Sequence, residues 1–241
     1  MKKERIDFNY QLVSENSVFV SFMESPCREL SQLIGYVAQQ LHLRHQSVLM
    51  NVTPSHTTIL IDYLPHRVSV SEVTQSLSAI LHNLLSTSGA LSIAQHEELE
   101  LPAYYSPEVG LDIDSYEEQG ISLAQLCECH CSSTYYISAL GFSPGFAFMA
   151  GLDSSLARPR LSTPRVYLPR GSIGIADEFT AIYPNDSPGG WNIVGNCPTT
   201  LYNPNKTPVT PFKLGTAVRF RAISQREFLD LGGRINTQGT K

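Results

Sequence analysis

The sequence predicts an α+β protein with two domains, one at residues 1–95 and one at residues 96–241. Two observations support this division. In the first part, short strands of alternating apolar and polar residues are interleaved with two amphipathic helices, each with one apolar face. In the second part, many short strands follow one another between turns rich in glycine and proline.

Four strands and two helices account for most of the first domain. The strands are predicted at residues 8–12, 17–22, 48–52 and 57–63, the last two joined by a turn at Thr53–Ser55. Serine caps helices and proline suits their first turn, so the first helix is predicted to start at Ser25-Pro26. The second starts at a capping box, Ser69-x-x-Glu72. With a further strand near Leu91–Ile93, both helices pack on one sheet in a ferredoxin-like arrangement. The predicted inner faces are Leu30, Leu33, Ile34, Val37, Ala38 and Leu41 in the first helix, and Val73, Leu77, Ile80, Leu81, Leu84 and Leu85 in the second.

The second domain is predicted to be a closed β-barrel. It opens with a strand within residues 97–105 and two short helices, one at 114–120 and one beginning at the capping box Ser122-x-x-Gln125. Further strands are predicted at residues 135–140, 165–168, 172–175, 180–183, 191–194, 200–202 and 218–223, before a last helix at 225–231. Short strands at close spacing with rigid turns are typical of barrels.

Composition excludes several classes of function. The net charge of -5 argues against binding to nucleic acid or an anionic membrane, because both need an extended basic surface. No apolar run is long enough to cross a bilayer, and the first residues lack the apolar segment of a signal peptide, so we expect a cytoplasmic protein. The five cysteines are an odd number with three of them within five residues, which argues against an exported disulfide framework.

The stretch from Gly141 to Pro198 carries the candidate site. Arg158, Arg160, Arg165 and Arg170 fall within it, with no acidic residue between Leu156 and Gly171. Guanidinium groups bind carboxylates and phosphates bidentately, so these arginines could hold an anion, although loop arginines also often bond to backbone carbonyls. We rank Arg160 and Arg165 highest as substrate-binding residues.

Two glycine-containing motifs and one cysteine cluster are further candidates. Ser187-Pro-Gly-Gly-Trp191 could bring the backbone of Gly189 and Gly190 close to a ligand beside the indole of Trp191, or could be a tight turn anchored by a core tryptophan. Gly171-Ser172-x-Gly174 could present amides to an anion, but it is not a Walker motif, so ATP binding by this chain alone has no support. Cys127, His130 and Cys131 would share a helix face without a fourth ligand, so no metal is predicted and inert thiols are the alternative.

Several motifs in a fixed order resemble the allophanate hydrolase subunit 1 family. They are GF-x-PGF from Gly141, GLD from Gly151, ARPR from Ala157, P-x-GS-x-GIA from Pro169, IYP from Ile182 and SPGGW from Ser187. The resemblance implies that the barrel is cyclophilin-like. It also implies His130 and Glu108 as catalytic candidates, and Ser172 and Thr180 as substrate-binding candidates.

The chain departs from the family pattern at several positions. Tyr105-Ser106-Pro107-Glu108 replaces Tyr-Gly-Gly-Glu, Phe179 replaces a glutamine before Thr180, and Asn196 replaces an arginine. The late Pro-Gly-Asp is Leu214-Gly215-Thr216. These changes remove hydrogen-bonding groups that a buried ligand would need, so we expect the isolated chain to lack a complete catalytic set.

The resemblance implies a subunit of an ATP-dependent 5-oxoprolinase, a hydrolase that opens 5-oxoproline to glutamate. Such a subunit would act with a second barrel subunit of the same family and a separate subunit that uses ATP. Two alternatives stay open: an inhibitor of a histidine kinase, as found in the same family, or an allophanate hydrolase-type amidohydrolase subunit.

Overall fold

The computed structural model describes residues 6–86 and 98–235, and it divides into two compact units. The first unit comprises residues 1–96 with 213–215, and the second comprises 97–212 with 216–241. Within the described ranges, no helix combines the length and the apolar character that crossing a membrane requires.

A four-stranded antiparallel sheet and two helices form the first unit. Its elements are β1 (Phe8–Ser14), β2 (Ser17–Phe22), α1 (Arg28–Arg44), β3 (Leu49–Ser55), β4 (Thr58–Tyr63) and α2 (Val70–Ser86), with the strand order β1-β2-β4-β3. Because β2 and β3 both run antiparallel to β4 between them, α1 connects two parallel strands that are not neighbours. This split β-α-β arrangement is the one expected of a ferredoxin-like fold. The predicted strand near Leu91–Ile93 lies outside the described residues.

The buried faces of the first unit follow the predicted periodicity. Every residue predicted for the inner face of α1 is buried, and so are Val73, Leu77, Ile80 and Leu81 of α2. The side chain of Leu85 lies outside the description. The predicted capping box is confirmed, since the Glu72 carboxylate accepts a hydrogen bond from the Ser69 backbone N–H at 2.9 Å.

Two local predictions in the first unit are wrong. Helix α1 begins at Arg28 rather than at Ser25-Pro26, because Cys27 occupies the capping position and its sulfur accepts the N–H of Leu30 at 3.4 Å. The predicted turn at Thr53–Ser55 belongs to β3, and the chain turns at residues 56 and 57 instead. A proline is tolerated there because β3 is an edge strand of the described sheet.

The second unit is built around a seven-stranded sheet. Its elements are β5 (Leu99–Ala103), α3 (Ile113–Glu117), α4 (Leu123–Ser132), β6 (Tyr135–Leu140), β7 (Ala147–Ala150), a 3₁₀ turn (Ser154–Leu156), β8 (Arg165–Leu168), β9 (Ser172–Ala176), β10 (Phe179–Ile182), β11 (Ser187–Gly189), β12 (Asn192–Asn196), β13 (Ala217–Ala222) and α5 (Gln225–Asp230). The sheet order is β12-β9-β10-β7-β6-β13-β5, and β8 pairs with β11 in a separate ribbon. Strands β5 and β13 are parallel, and the other pairs are antiparallel.

A backbone bridge closes the sheet into a barrel. Tyr104, directly after β5, exchanges two hydrogen bonds of 2.9 Å with Asn196 at the end of β12, so the two ends of the sheet meet. Apolar side chains from successive strands, among them Ile137, Met149 and Ile175, form the core. The predicted α+β class with a carboxy-terminal barrel is therefore confirmed.

Strand prediction fails in three places of this unit. The segment at residues 200–202 is a loop, where Leu201 is buried in the core without strand pairing. Strands β7 and β11 were not predicted. Each has only three or four residues and directly follows or contains glycine and proline, so local sequence favours a turn there.

Candidate functional site

The arginine-bearing segment after the 3₁₀ turn is tied down by its backbone. The N–H of Leu161 donates to the Gly190 carbonyl at 2.8 Å, and the side-chain amide of Asn192 donates to the Pro159 carbonyl at 2.9 Å. Arg158 forms an isolated backbone bridge with Asp177 in the turn between β9 and β10. These bonds hold the segment beside the start of β12.

Arg165 is bound to the amino-terminal end of α3. Its Nη2 lies 2.7 Å from Oδ1 of Asp112, whose other oxygen accepts the backbone N–H of Ile193 at 2.6 Å. The Asp112 side chain is only 10% exposed, so this ion pair is shielded from solvent. The second terminal nitrogen of Arg165, Nη1, is buried and has no hydrogen-bond partner.

Arg158 reaches the same short helix one turn later. Its guanidinium carbon lies 3.6 Å from the centre of the Tyr116 ring, and its Nη1 donates to Ser115 at 3.4 Å. Its Nη2 is also buried without a partner. Burial raises the pKa of the Tyr116 phenol, so the ring that faces this cation is neutral.

Arg160 completes a group that we call the arginine cluster, namely Arg158, Arg160 and Arg165. Arg160 is exposed, with its guanidinium carbon 5.8 Å from the centre of the Trp191 ring. Burial raises the pKa of Tyr183, while the positive charges of Arg160 and Arg165 act against this shift. Both arginines are therefore close enough to influence the same phenol.

Arg170 lies apart from the arginine cluster. Its guanidinium donates to Thr200 at 3.0 Å, and its backbone N–H donates to Asp186 at 2.7 Å. It lines a separate polar cleft of about 550 Å³ together with Asn196 and Arg234. The structure thus brings together three of the four arginines that the sequence singled out.

The glycine-tryptophan motif is mainly a packing element. Trp191 is 5% exposed and lies in an aromatic cluster, with its ring centre 5.6 Å from that of Phe146. A side chain at Gly189 would collide with Tyr183 and with Leu168, so glycine is required there by the core. Gly190, by contrast, has ordinary space around its Cα and offers its carbonyl to the arginine-bearing segment.

His130 is the polar centre of a network inside the barrel. It is 0% exposed, with Nδ1 2.6 Å from Oη of Tyr105 and Nε2 3.0 Å from Oγ1 of Thr180. Since the Thr180 hydroxyl donates its proton to the Gly174 carbonyl at 3.1 Å, Nε2 must donate to Thr180 and Nδ1 must accept from Tyr105. Burial lowers the pKa of His130 to about 3, so the ring is neutral near pH 7. We call Tyr105, His130 and Thr180 the histidine network.

The remaining predicted residues lie outside these two groups. Ser172 is buried and donates to the Pro169 carbonyl at 2.7 Å, which fixes the turn before β9. Glu108 is exposed, and its Oε2 accepts hydrogen bonds from Tyr104 at 3.1 Å, from Gln225 at 3.2 Å and from Ser106 at 3.4 Å. No group of three histidine, cysteine or carboxylate side chains among residues 6–86 and 98–235 is arranged to hold a metal ion.

Two contributors to these groups were not identified as such from the sequence. Tyr116 received no role, although its aromatic ring on a short helix beside Asp112 was a usable signal. Tyr105 was noted only as part of a family motif, yet it supplies the hydrogen bond that fixes the ring of His130. Both pairings join residues 25 or more positions apart, so no local pattern reveals them.

Comparison with known proteins agrees with this architecture. The family model described as the carboxyltransferase domain, subdomain C and D, matches residues 8–212. A curated relative from Bacillus subtilis, named as the B subunit of 5-oxoprolinase, is 25% identical over 230 residues, which cover 92% of this chain and 96% of the relative.

Two solved structures share the fold. The protein TTHA0988 superposes with a TM-score of 0.73 at 26% identity, over 86% of this chain but 40% of that longer chain. The urea carboxylase of Kluyveromyces lactis superposes with a TM-score of 0.61 over 95% of this chain and 23% of that chain. At 18% identity, the second likeness concerns the fold alone.

Proposed function

Because the chain belongs to the family of the carboxyltransferase domain, subdomain C and D, we propose that it is a subunit of an ATP-dependent 5-oxoprolinase, equivalent to the one for which its curated relatives are named. The complex would hydrolyse the cyclic amide of 5-oxoproline to give glutamate. ATP would be bound by a separate subunit, since the glycine-rich turn before β9 is not a Walker motif. No observation on the described residues favours the kinase-inhibitor or allophanate alternatives.

One observation carries the proposal: the arginine cluster holds two buried guanidinium nitrogens that have no partner, Nη2 of Arg158 and Nη1 of Arg165. A buried donor without an acceptor is costly, by roughly 1–3 kcal/mol, and more when the group is charged. A protein that keeps two such donors side by side gains from a ligand with acceptor oxygens. The carboxylate of 5-oxoproline offers two acceptor oxygens that match guanidinium groups.

The chemical difficulty of the reaction explains the need for partner subunits. A lactam carbonyl is stabilised by resonance, so it must be activated before water can attack, and phosphorylation of its oxygen by the ATP-using subunit would do this. Water then adds to the carbonyl carbon, the C–N bond breaks, the nitrogen takes up a proton, and phosphate leaves. The arginine cluster would hold the substrate carboxylate or the phosphorylated oxygen.

The other predicted residues receive distinct roles in this proposal. The three hydrogen bonds of Glu108 all reach Oε2, which leaves Oε1 for proton transfer. His130 has both nitrogens occupied and would act by orienting Tyr105 and Thr180. A second barrel subunit would complete the pocket. Support for this comes from the TTHA0988 chain, of which this fold makes up 40%.

Substitutions in the arginine cluster test the proposal in the reconstituted complex. Arg165→Lys keeps a cation for Asp112 but removes the spare N–H, and Arg158→Met keeps the packing of the side-chain stem. We expect each to raise the KM for 5-oxoproline by about 10- to 100-fold in an assay of ATP-dependent glutamate release, the range for a lost hydrogen bond to a charged group. Arg170→Met, outside the cluster, is the matched control. An unchanged KM in both cluster variants would remove the arginines from substrate binding.

A further inference from the structure

Two cysteines on successive turns of helix α4 form a thiol pair. Cys127 and Cys131 are both partly exposed, and their sulfurs are hydrogen-bonded to each other. The backbone of Ala222, at the end of β13, also hydrogen-bonds to Cys131. The Cys131 sulfur lies 3.5 Å from Oη of Tyr105, so the thiol pair touches the histidine network.

The surroundings of the two thiols favour ionisation of Cys131. The hydrogen bond from Cys127 lowers the pKa of Cys131 to about 7, against the effect of burial, and the contacts of Tyr105 and Ala222 act in the same direction. The same bond raises the pKa of Cys127, so one thiol stays protonated while the other ionises. For comparison, burial raises the pKa of Cys197, which lies in the barrel core.

We propose that Cys131 is a site of reversible oxidation by small hydroperoxides, with Cys127 as the hydrogen-bond donor that activates it. The Cys131 thiolate attacks one oxygen of the peroxide, so that an S–O bond forms as the O–O bond breaks. The hydroxide or alkoxide that leaves takes up the proton lost by the thiol. The sulfur is oxidised to a sulfenic acid and the peroxide is reduced to water or an alcohol. This inference does not depend on the proposed function.

Helix geometry determines the next step. Residues four apart on a helix have Cβ atoms about 5–6 Å apart, whereas a disulfide needs about 3.5–4.5 Å. The pair therefore cannot close a disulfide while α4 is intact. A small external thiol such as glutathione would instead displace water from the sulfenic acid to give a mixed disulfide, and a second thiol would release Cys131 in its reduced form.

Site-resolved labelling of the full chain tests the proposal. The protein is treated with hydrogen peroxide at pH 7 in the presence of dimedone, and the adduct at each cysteine is followed by peptide mass spectrometry. We expect Cys131 to be modified about tenfold faster than Cys129, which shares its helix and its partial exposure, because a thiol of ordinary pKa is only a few per cent ionised at this pH. Equal rates at the two cysteines would overturn the proposal.

A pair of variants at Cys127 separates activation from folding. Cys127→Ala removes the donor, and we expect the Cys131 rate to fall several-fold toward that of Cys129. Cys127→Ser keeps a donor of similar size and should retain most of the rate. Thermal unfolding of both variants checks that α4 remains folded. If alanine and serine leave the rate equally unchanged, Cys127 does not activate Cys131.

Discussion

The histidine network and the arginine cluster both place polar groups inside the barrel unit, but they differ in how completely their hydrogen bonds are made. In the histidine network, each ring nitrogen of His130 has a partner, and Thr180 passes its own proton to a backbone carbonyl. In the arginine cluster, one nitrogen each of Arg158 and Arg165 is buried without an acceptor.

This difference separates a structural role from a binding role. A fully paired buried network stabilises one arrangement of the strands that carry it, and it has no free group to offer a ligand. A buried cation with spare donors lowers stability until an acceptor arrives. Polar burial alone therefore does not locate a binding site, and the count of unpaired donors is the more useful signal.

The largest effect that would sharpen the comparison is the pH dependence of stability. The folded protein holds His130 neutral, with a pKa lowered to about 3, whereas the unfolded chain protonates it near pH 6.5. Between these values the unfolded state binds more protons, so the free energy of unfolding falls as the pH falls, by about 1.4 kcal/mol per pH unit. Urea unfolding of wild type and His130→Gln between pH 7 and 4 measures the difference. Equal slopes for the two proteins would mean that His130 is protonated in the fold.

A smaller change should break the histidine network at one bond. Thr180→Val keeps the shape of the side chain but removes the acceptor of the Nε2–H group, so we expect a loss of about 2 kcal/mol in the free energy of unfolding. Thr180→Ser retains the hydroxyl and serves as the control. A valine variant as stable as the serine variant would indicate that His130 finds another partner.

Periodicity predicted the parts of the fold that depend on neighbours in sequence. The inner faces of α1 and α2 repeat every three or four residues, and the capping boxes at Ser69 and Ser122 span three positions, so local sequence contains the whole signal. Strand β7 escaped prediction because it becomes a strand only by pairing with β6 and β10, on either side of it.

The candidate site depends on longer separations. Arg165 meets Asp112 across 53 positions, and His130 meets Thr180 across 50. Residue types and family motifs selected both of these arginine and histidine side chains, but they gave no indication that Arg170 would lie elsewhere. Which side chains meet is set by the closure of the barrel, and a single sequence does not reveal that pairing.

The smallest expected effect is in the arginine cluster itself. Arg158→Met removes a buried donor that has no partner, together with a weak bond to Ser115 and the stacking on Tyr116. Because these losses and the gain from removing an unpaired donor offset each other, we expect the free energy of unfolding to change by about 1 kcal/mol or less. Urea unfolding beside Thr180→Val gives the direct comparison. A loss as large as that of the valine variant would show that Arg158 is a structural residue, and the distinction between the two groups would then fail.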